Sequence, residues 1–402
     1  MNELIGKKKL RIIMLTTVRF HLSKGGTEKV MIDTANALTE KGHDVTILYK
    51  DKKGCTPGFP LNKQVKTINC CNNHIPFMVS GLMQVIRSFS FSREKHKEKL
   101  AFLKLKKLAA TFKKPLMENP ADIYITYEPK LSAMLNKEFN ISGNVITTFQ
   151  LSPEYIANRP DTKYIEKYIG TAGPIQILRE EFLQRTRKYF PSASQITVIP
   201  NAIAPNKNTS SLNNKIIANL GRVSKIKNQL LLVESFNLIR EDFKDWKIEI
   251  WGETGLEKEY EQNIKNLIKK YNLTENFIFR GPTNEVYKEL INSSIFAFPS
   301  INEGFGLALG EAMATGLPCI GLLNCPSVNT LIKHNQNGLL CNNNPYEFSQ
   351  ALRKLMESHN LRIELGRQAK KDISLYDPQH IWKLWEEFLY RYANSTKSTI
   401  VH

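Results

Sequence analysis

Residues 10–48 decide the fold and read LRIIMLTTVRFHLSKGGTEKVMIDTANALTEKGHDVTIL. A short apolar run opens the stretch, and a polar loop containing Gly25 and Gly26 follows. An apolar stripe of helical spacing then extends from Glu28 to Leu38, and a second apolar run, Val45–Leu48, comes after a turn. Strand, glycine loop, helix and strand in this order predict a βαβ unit, which belongs to a parallel sheet.

The same alternation continues along the chain and restarts after residues 204–215, a polar stretch typical of an interdomain linker. The further predicted strands are Ile123–Thr126, Val145–Phe149, Ile196–Ile199, Ile216–Leu220, Lys247–Trp251, Asn276–Phe279, Ile295–Phe298, Pro318–Gly321 and Gly338–Cys341. We therefore predict two α/β domains, 1–203 and 204–378, whose facing strand ends leave a cleft for ligands. An apolar amphipathic helix within 379–402 is a candidate to pack back on the first domain.

The composition excludes several classes of protein. Of 402 residues, 42% are hydrophobic and 23% are charged, so the chain is neither disordered nor low in complexity. No apolar run approaches the ~18 residues that span a bilayer. The six cysteines have neither a disulfide-framework pattern nor zinc-site spacing, so we expect no metal and a reducing cytoplasmic location.

Basic residues are concentrated in the first half of the chain. The net charge is +18, of which residues 1–200 carry +15, and this asymmetry indicates an anionic partner. Residues 84–115 alone carry +8, with leucine and phenylalanine interspersed. Two interpretations stay open: a basic amphipathic helix on an anionic membrane surface, or a surface helix whose apolar side packs on the sheet. Nucleic acid is not expected, because no recognition motif for it is present.

The stretch PSINEGFGLALGEA, residues 299–312, contains the most informative motif. Gly304 and Gly306 flank a predicted strand-to-helix turn, where bare backbone N–H groups and the helix dipole can bind phosphate. Glu303 precedes the helix and Glu311 lies on its second turn, and a carboxylate suits a sugar diol. The glycines alone favour a turn in which they serve only the tight backbone geometry.

Two further groups have the composition of phosphate sites. In GRVSKIKN, residues 221–228, Arg222 supplies a planar fork and Lys227 a mobile point charge, which together suit a diphosphate. Gly25 and Gly26 close the first strand-to-helix turn and could cradle phosphate in the same way. Each group is weak by itself, since a lysine-rich chain has many basic turns.

Taken together, these groups resemble one family. The chain order is Gly25-Gly26-Thr27-Glu28, residues 198–203, Gly221-Arg222 with Lys227, residues 299–312, Gly316-Leu317-Pro318, and Asn337-Gly338-Leu339-Leu340. This order is similar to that of the retaining GT-B glycosyltransferases of the glycogen-synthase-related group, which have two glutamates seven residues apart. The resemblance is strong over residues 196–345, clear over 10–48 and faint between 50 and 190.

The resemblance implies a role for each matching residue. Arg222 and Lys227 would hold the donor diphosphate and stabilise the charge of the leaving group. Glu303 would contact the donor sugar and Glu311 the nucleotide ribose. The remaining donor contacts would come from backbone N–H groups of Gly25, Gly26, Gly304, Phe305 and Gly306. Such enzymes need no cofactor or metal besides the nucleotide-sugar cosubstrate.

One position departs from the family pattern. Many relatives have a histidine near the sugar after the strand that corresponds to Val145–Thr148, whereas this chain has Gln150. Glutamine hydrogen-bonds a hydroxyl but carries no proton at neutral pH, so Gln150 is a candidate for sugar or acceptor contact only. Glu154 is a weaker substitute.

We therefore predict a cytoplasmic hexosyltransferase at the inner face of the plasma membrane. It would use a nucleotide sugar, with a UDP-sugar favoured, and a lipid-linked saccharide or surface polysaccharide as acceptor. A nucleotide-sugar epimerase, a glycan phosphorylase and a non-catalytic glycan- or lipid-binding protein are the alternatives. The identity of sugar, acceptor and linkage depends on the first half, where the resemblance fades.

Overall fold

The structure is a computed structural model that describes residues 8–17, 25–51, 57–72 and 93–393. These residues divide into two compact units. The first contains the described residues up to Pro200 together with those from Trp382 onward, and the second is Asn201–Ile381. Each unit contains one parallel sheet with helices between its strands, which confirms the predicted α/β class.

The first unit contains a seven-stranded sheet within the described residues. Its strands are β1 (Arg11–Thr16), β2 (Asp44–Tyr49), β3 (Lys66–Asn69), β4 (Ile123–Thr126), β5 (Val145–Thr148), β6 (Ile175–Ile177) and β7 (Ile196–Val198). Its helices are α1 (Gly26–Glu40), α2 (Arg93–Glu118), α3 (Pro129–Phe139), α4 (Pro153–Ala157), α5 (Thr162–Gly170) and α6 (Glu181–Tyr189). The strand order is β3-β2-β1-β4-β5-β6-β7, so the order reverses next to β1.

The second unit repeats this plan with a six-stranded sheet. Its strands are β8 (Ile216–Leu220), β9 (Lys247–Trp251), β10 (Phe277–Gly281), β11 (Ile295–Phe298), β12 (Cys319–Leu322) and β13 (Gly338–Cys341). Its helices are α7 (Gln229–Asn237), α8 (Lys258–Lys270), α9 (Val286–Ile291), α10 (Leu307–Ala314), α11 (Val328–Leu331), α12 (Pro345–Glu357) and α13 (His359–Ile373), and α14 (Pro378–Ala393) follows. The order β10-β9-β8-β11-β12-β13 reverses next to β8.

The central strands explain why the sequence pattern was informative. Every residue of β4, β5, β11 and β12 is buried. A strand covered on both faces needs a continuous apolar run rather than an alternating one. The short apolar runs of the sequence are therefore the strands at the centre of each parallel sheet.

The predicted linker, residues 204–215, packs on the second unit. Ser210 donates a backbone hydrogen bond to the Thr315 carbonyl, 3.1 Å, and its hydroxyl donates to the Ser293 carbonyl, 2.5 Å. Ile203, which we had placed in the first domain, is buried and donates a backbone bond to the Tyr376 carbonyl, 2.8 Å. Ser210 thus anchors this stretch to the second unit, while most of its other residues are exposed.

From Trp382 onward, helix α14 packs with the first unit. The Lys41 ammonium lies 3.3 Å from the Glu386 carboxylate, which is 7% exposed. Tyr390 meets the His43 ring edge-on at 5.8 Å, and its hydroxyl donates to the Lys8 carbonyl, 2.9 Å. Residues 394–402, the rest of the predicted C-terminal segment, lie outside the described residues.

Helix α2 carries most of the basic segment, and its apolar side belongs to the core of the first unit. Leu105, Phe112 and Leu116 are buried in that core, and Phe102 and Leu108 pack against it. The apolar side of the helix therefore packs inside the protein, as the second of the two interpretations has it. An electrostatic contact with a membrane surface stays a prediction. Residues 84–92 of the segment lie outside the described residues.

This packing predicts unequal effects for two neighbouring positions of α2. Phe112→Ala removes a fully buried ring and should lower the free energy of unfolding of the first unit by about 3–5 kcal/mol. Lys113→Ala alters an exposed side chain and should change it by no more than about 0.5 kcal/mol. Urea denaturation of both variants measures the difference, and similar small effects would contradict the buried orientation of α2.

Candidate functional site

Two loops meet at the carboxyl edge of the second sheet. Strands β8 and β11 are parallel neighbours, with Ile217 opposite Ile295 and Ala218 opposite Phe296. The loops that follow them therefore leave the sheet side by side. The Ile301 N–H donates to the Ile226 carbonyl at 2.9 Å and joins the two loops directly.

Lys227 and Glu303, one from each loop, form an ion pair. The Lys227 Nζ lies 2.5 Å from Glu303 Oε1, and the two side chains are only 21% and 12% exposed. The ammonium also lies 5.2 Å from the centre of the Phe298 ring. At Gly221, a Cβ would lie 3.2 Å from the Lys227 stem, so the absence of a side chain there lets the stem lie close to the backbone.

Arg222 lies on the same loop as Lys227 but is exposed. Its carbonyl accepts a hydrogen bond from Gln229 Nε2, 3.1 Å, which fixes the backbone at that position. Among the described residues its guanidinium has no carboxylate within ion-pair distance. The site thus contains one neutralised ammonium and one guanidinium open to an anionic ligand.

The turn from Glu303 into α10 is held from behind by Ser327. The Ser327 hydroxyl donates to the Gly304 carbonyl at 2.7 Å, and the Glu303 carbonyl lies 3.3 Å away. Ser327 has φ +73°, a left-handed conformation that is costly for serine, and it is buried. Sequence reasoning missed Ser327, because no motif marks a serine 24 residues beyond the glutamate that it supports.

Gly306 begins helix α10 with φ +88°, which glycine adopts without the steric penalty of a Cβ. The Phe305 ring is buried edge-on against Tyr376 at 5.1 Å, so this residue offers only its backbone to a ligand. Glu311 lies buried on α10, one turn beyond Leu307. The backbone N–H groups at the N-terminus of α10 thus lie between two carboxylates in the sequence, that of Glu303 before the helix and that of Glu311 within it.

The other predicted site residues belong to the first unit. Gly25 is the N-cap of α1 and Gly26 is its first residue, so they open the helix after β1 as predicted. Gln150 is half-buried and follows β5. Glu154 lies in α4, where its carboxylate is 3.4 Å from the Arg185 guanidinium, as expected of a surface carboxylate.

Glu128 is a buried carboxylate at the same edge of the first sheet, and sequence reasoning missed it. Its Oε1 accepts from the Thr17 N–H, 2.5 Å, and its Oε2 from the Thr17 hydroxyl, 2.6 Å, and from the Lys130 ammonium, 2.7 Å. Burial alone would raise its pKa, but Lys130 and Thr17 outweigh burial and hold the pKa below its ordinary value. Glu128 thereby fixes Thr17, which follows β1 on the side of the chain that leads toward Gly25 and Gly26.

The lowered pKa of Glu128 predicts a pH-dependent stability difference. Glu128→Gln should lower the free energy of unfolding of the first unit by about 2 kcal/mol at pH 7, since hydrogen bonds to a charged group are lost. A depressed pKa stabilises the protein above the unfolded value of about 4.3, and this stability is lost as the pH falls through the folded value. The gap between variant and wild type should therefore close below about pH 4.

Urea midpoints measured from pH 3 to pH 8 give this comparison. Glu98→Gln is the matched control, because Glu98 is exposed on α2 and makes no ion pair with a described residue. A gap for Glu128→Gln that stays constant with pH would contradict the charged hydrogen-bond network.

Two kinds of feature are absent from the part of the chain that the structure describes. No helix in that part is long and apolar enough to cross a membrane. The described residues also contain no group of three or more His, Cys, Asp or Glu side chains that could hold a metal ion.

Comparison with known proteins gave a family match and relatives that cover different shares of the chain. Residues 201–372 match the family model described as glycosyl transferases group 1. An uncharacterised glycosyltransferase of Haemophilus influenzae is 27% identical over 91% of this chain and 97% of its own length. A Campylobacter jejuni enzyme, N-acetylgalactosamine-N,N'-diacetylbacillosaminyl-diphospho-undecaprenol 4-alpha-N-acetylgalactosaminyltransferase, is 30% identical over 42% of this chain and 44% of its own length.

A solved structure is similar over nearly the whole chain. It is a TarM mutant from Staphylococcus aureus in complex with Fondaparinux, alpha-GlcNAc-glycerol and UDP. The TM-score is 0.72 at 16% identity, covering 94% of this chain and 99% of that one. At this identity the likeness concerns the fold. The match to the group 1 glycosyl transferases therefore concerns residues 201–372, and the two parallel-sheet units have the GT-B fold.

Proposed function

We propose that this glycosyltransferase moves a hexose, with retention, from a UDP-sugar to a lipid-linked saccharide or a growing surface polysaccharide. The observation that carries the proposal is the contact of Lys227 with Glu303 beside the exposed Arg222, at the N-terminus of α10. Two cations, a carboxylate and a row of backbone N–H groups at one sheet edge match the parts of a nucleotide sugar.

The diphosphate would be held by the cationic loop. The Arg222 fork can donate two parallel hydrogen bonds to phosphate oxygens, and Lys227 adds a point charge. As the bond between sugar and phosphate breaks, negative charge grows on the leaving diphosphate, and fixed positive groups stabilise this charge. These groups, with the α10 N-terminus, would supply the charge that a divalent ion supplies elsewhere, so we propose a metal-independent reaction with no further cofactor.

The glutamates would orient the donor. Glu303 is 12% exposed and lies on the loop next to the diphosphate cations, so its free carboxylate oxygen is available to sugar hydroxyls. Glu311 lies buried further along α10, where it would accept hydrogen bonds from the ribose. Backbone N–H groups of Gly304, Phe305 and Gly306 would complete the site.

For retention we propose front-face attack. The acceptor hydroxyl oxygen forms its bond to the anomeric carbon on the side from which the diphosphate leaves. The bond from this carbon to the phosphate oxygen breaks, and a leaving phosphate oxygen takes the hydroxyl proton. No protein nucleophile is required, and Gln150, which cannot carry a proton, would serve only to bind a hydroxyl.

The relatives support this choice of substrates. The name of the Campylobacter jejuni enzyme specifies a diphospho-undecaprenol acceptor, and the Staphylococcus aureus TarM mutant was solved with UDP. An acceptor with a polyprenyl chain resides in a membrane, so the enzyme would act at the inner face of the plasma membrane.

Helix α2 would provide the electrostatic contact with that surface. Lys99, Lys106 and Lys113 are exposed, spaced seven residues apart on one helix face, and make no ion pair with a described residue. They span about 21 Å at 1.5 Å per residue. Lys104, in contrast, lies 2.6 Å from the Asp161 carboxylate and is already neutralised. The unpaired stripe is therefore the part of the basic segment that anionic headgroups would meet.

The donor site predicts a loss of catalysis without loss of the fold. Arg222→Ala or Glu303→Ala should lower kcat by about 100-fold or more, because each removes a fixed group next to the reacting bond. Transfer from radiolabelled UDP-sugars to undecaprenyl-diphosphate-linked saccharides measures the rate, and NMR of the product should show the donor's anomeric configuration. Circular dichroism confirms folding.

Lys225→Ala is the matched control for this experiment. Lys225 lies on the same loop and is exposed, and its backbone N–H donates to the Glu257 carboxylate at 3.0 Å. Its removal should leave the rate within about twofold. Folded Arg222 and Glu303 variants with near-normal turnover would refute the assigned site.

The membrane contact predicts a strong effect of three substitutions. Replacing Lys99, Lys106 and Lys113 together by Gln should weaken binding to phosphatidylglycerol vesicles by about 100-fold, at roughly 1 kcal/mol for each lysine. Vesicle sedimentation measures binding, and wild-type binding should also weaken as salt rises. The control replaces Lys207, Lys269 and Lys270, which are lysines of the second unit, with the same change in net charge. Equal effects of both triple variants would contradict a specific α2 surface.

A further inference from the structure

We propose that Glu303 also makes the donor site discriminate against the spent nucleotide, by competing with the diphosphate for Lys227. The inference rests on the proposed function and concerns a second consequence of the same ion pair. When a nucleotide sugar draws Lys227 away, the hydroxyl groups of its donor sugar would hydrogen-bond to Glu303 in place of the ammonium. A nucleoside diphosphate has lost the donor sugar and would leave Glu303 without this replacement. The product would then leave more readily than the donor.

The first step of the argument is that the pair is close and poorly screened. The ammonium and carboxylate are 2.5 Å apart with side chains 21% and 12% exposed. Ions that are largely withdrawn from water interact more strongly than exposed ones, and either one left alone is costly. The charge of Glu303 therefore affects the affinity of Lys227 for an anion.

Neither partner can easily move away. The Lys227 stem lies against the Gly221 backbone and its Nζ over the Phe298 ring. The backbone on the other side is fixed by the hydroxyl of Ser327, which bonds the Gly304 carbonyl, and by the bond from the Ile301 N–H to the Ile226 carbonyl. An arriving diphosphate must therefore share Lys227 with a carboxylate that remains beside it.

The surroundings offer little to neutralise that carboxylate. Cys325 is buried nearby, and burial together with the charge of Glu303 raises the pKa of its thiol to about 12, against the opposing effect of Lys227. The thiol is thus neutral and supplies no positive charge. In the ligand-free protein the charge of Glu303 is neutralised by Lys227, the one ammonium among the described residues that forms an ion pair with it.

The nucleotide sugar and the nucleoside diphosphate differ in the hydrogen-bond donors and the charge that they bring to Glu303. A donor sugar carries hydroxyl groups, which donate hydrogen bonds to a carboxylate. A nucleoside diphosphate carries no sugar beyond the phosphates and gains charge at its terminal phosphate, whose second pKa is about 6. The spent nucleotide therefore brings more negative charge toward Glu303 and no donor to satisfy it.

The test is calorimetric binding of UDP and UDP-glucose to the full chain. Glu303→Gln keeps the size of the side chain and removes its charge, so it should tighten UDP binding at least about tenfold while UDP-glucose binding does not improve by as much. Glu259→Gln is the control, since Glu259 is exposed on α8 without an ion pair among the described residues, and it should leave both affinities unchanged.

A double variant ties the effect to Lys227. Lys227→Met should weaken UDP binding. Glu303→Gln added to it should produce a smaller gain than in the wild-type background, because only the direct repulsion between Glu303 and the phosphates is then relieved. Unchanged or weaker UDP binding by folded Glu303→Gln would overturn the inference and leave the proposed function standing. A wild-type protein that binds neither UDP nor UDP-glucose would instead overturn the proposed donor, and the inference with it.

Discussion

The pairing of Lys227 with Glu303 is the interaction on which the second unit's site depends. Two ions this little exposed are held in place only if their geometry is good, since removing either leaves a charge withdrawn from water. Three neighbours provide the geometry: the bare backbone at Gly221, the Ser327 hydroxyl and the backbone bond between the two loops. The adjacency of β8 and β11 makes all of this possible, because it places both loops at one sheet edge.

The second unit is predictable because strands such as β11 and β12 are buried along their whole length. A continuous apolar run of four or five residues between polar turns is a clear signal, and the runs at Ile295–Phe298 and Gly338–Cys341 are strands with those bounds. Helix ends were less certain. The sequence pattern alone predicts a helix over Leu307–Thr315 and another over Gln229–Arg240, whereas the structure ends them at Ala314 and Asn237. The last turns of a helix have little pattern of their own.

The first unit was predictable only in part, and the reasons are physical. Strand β3 (Lys66–Asn69) lies at the sheet edge and is partly exposed, so it has no apolar run to reveal it. Glu128 and Ser327 act through contacts 111 and 23 residues away in the chain, with Thr17 and with Gly304. Contacts over such separations depend on which strands are neighbours in the sheet. A single sequence does not specify this strand order, so the roles of these side chains could not be predicted from it.

The basic segment shows what charge counting leaves undecided. The sequence gives a net charge but not which lysines are paired, and the fold divides them. Lys104 is neutralised by Asp161, whereas Lys106, two residues on, faces solvent without a partner among the described residues. The apolar side of the same helix is buried in the core, so the proposed membrane contact would be electrostatic alone. A contact made by charge alone would be reversible and sensitive to salt, which would suit the proposed transfer to one lipid-linked acceptor after another.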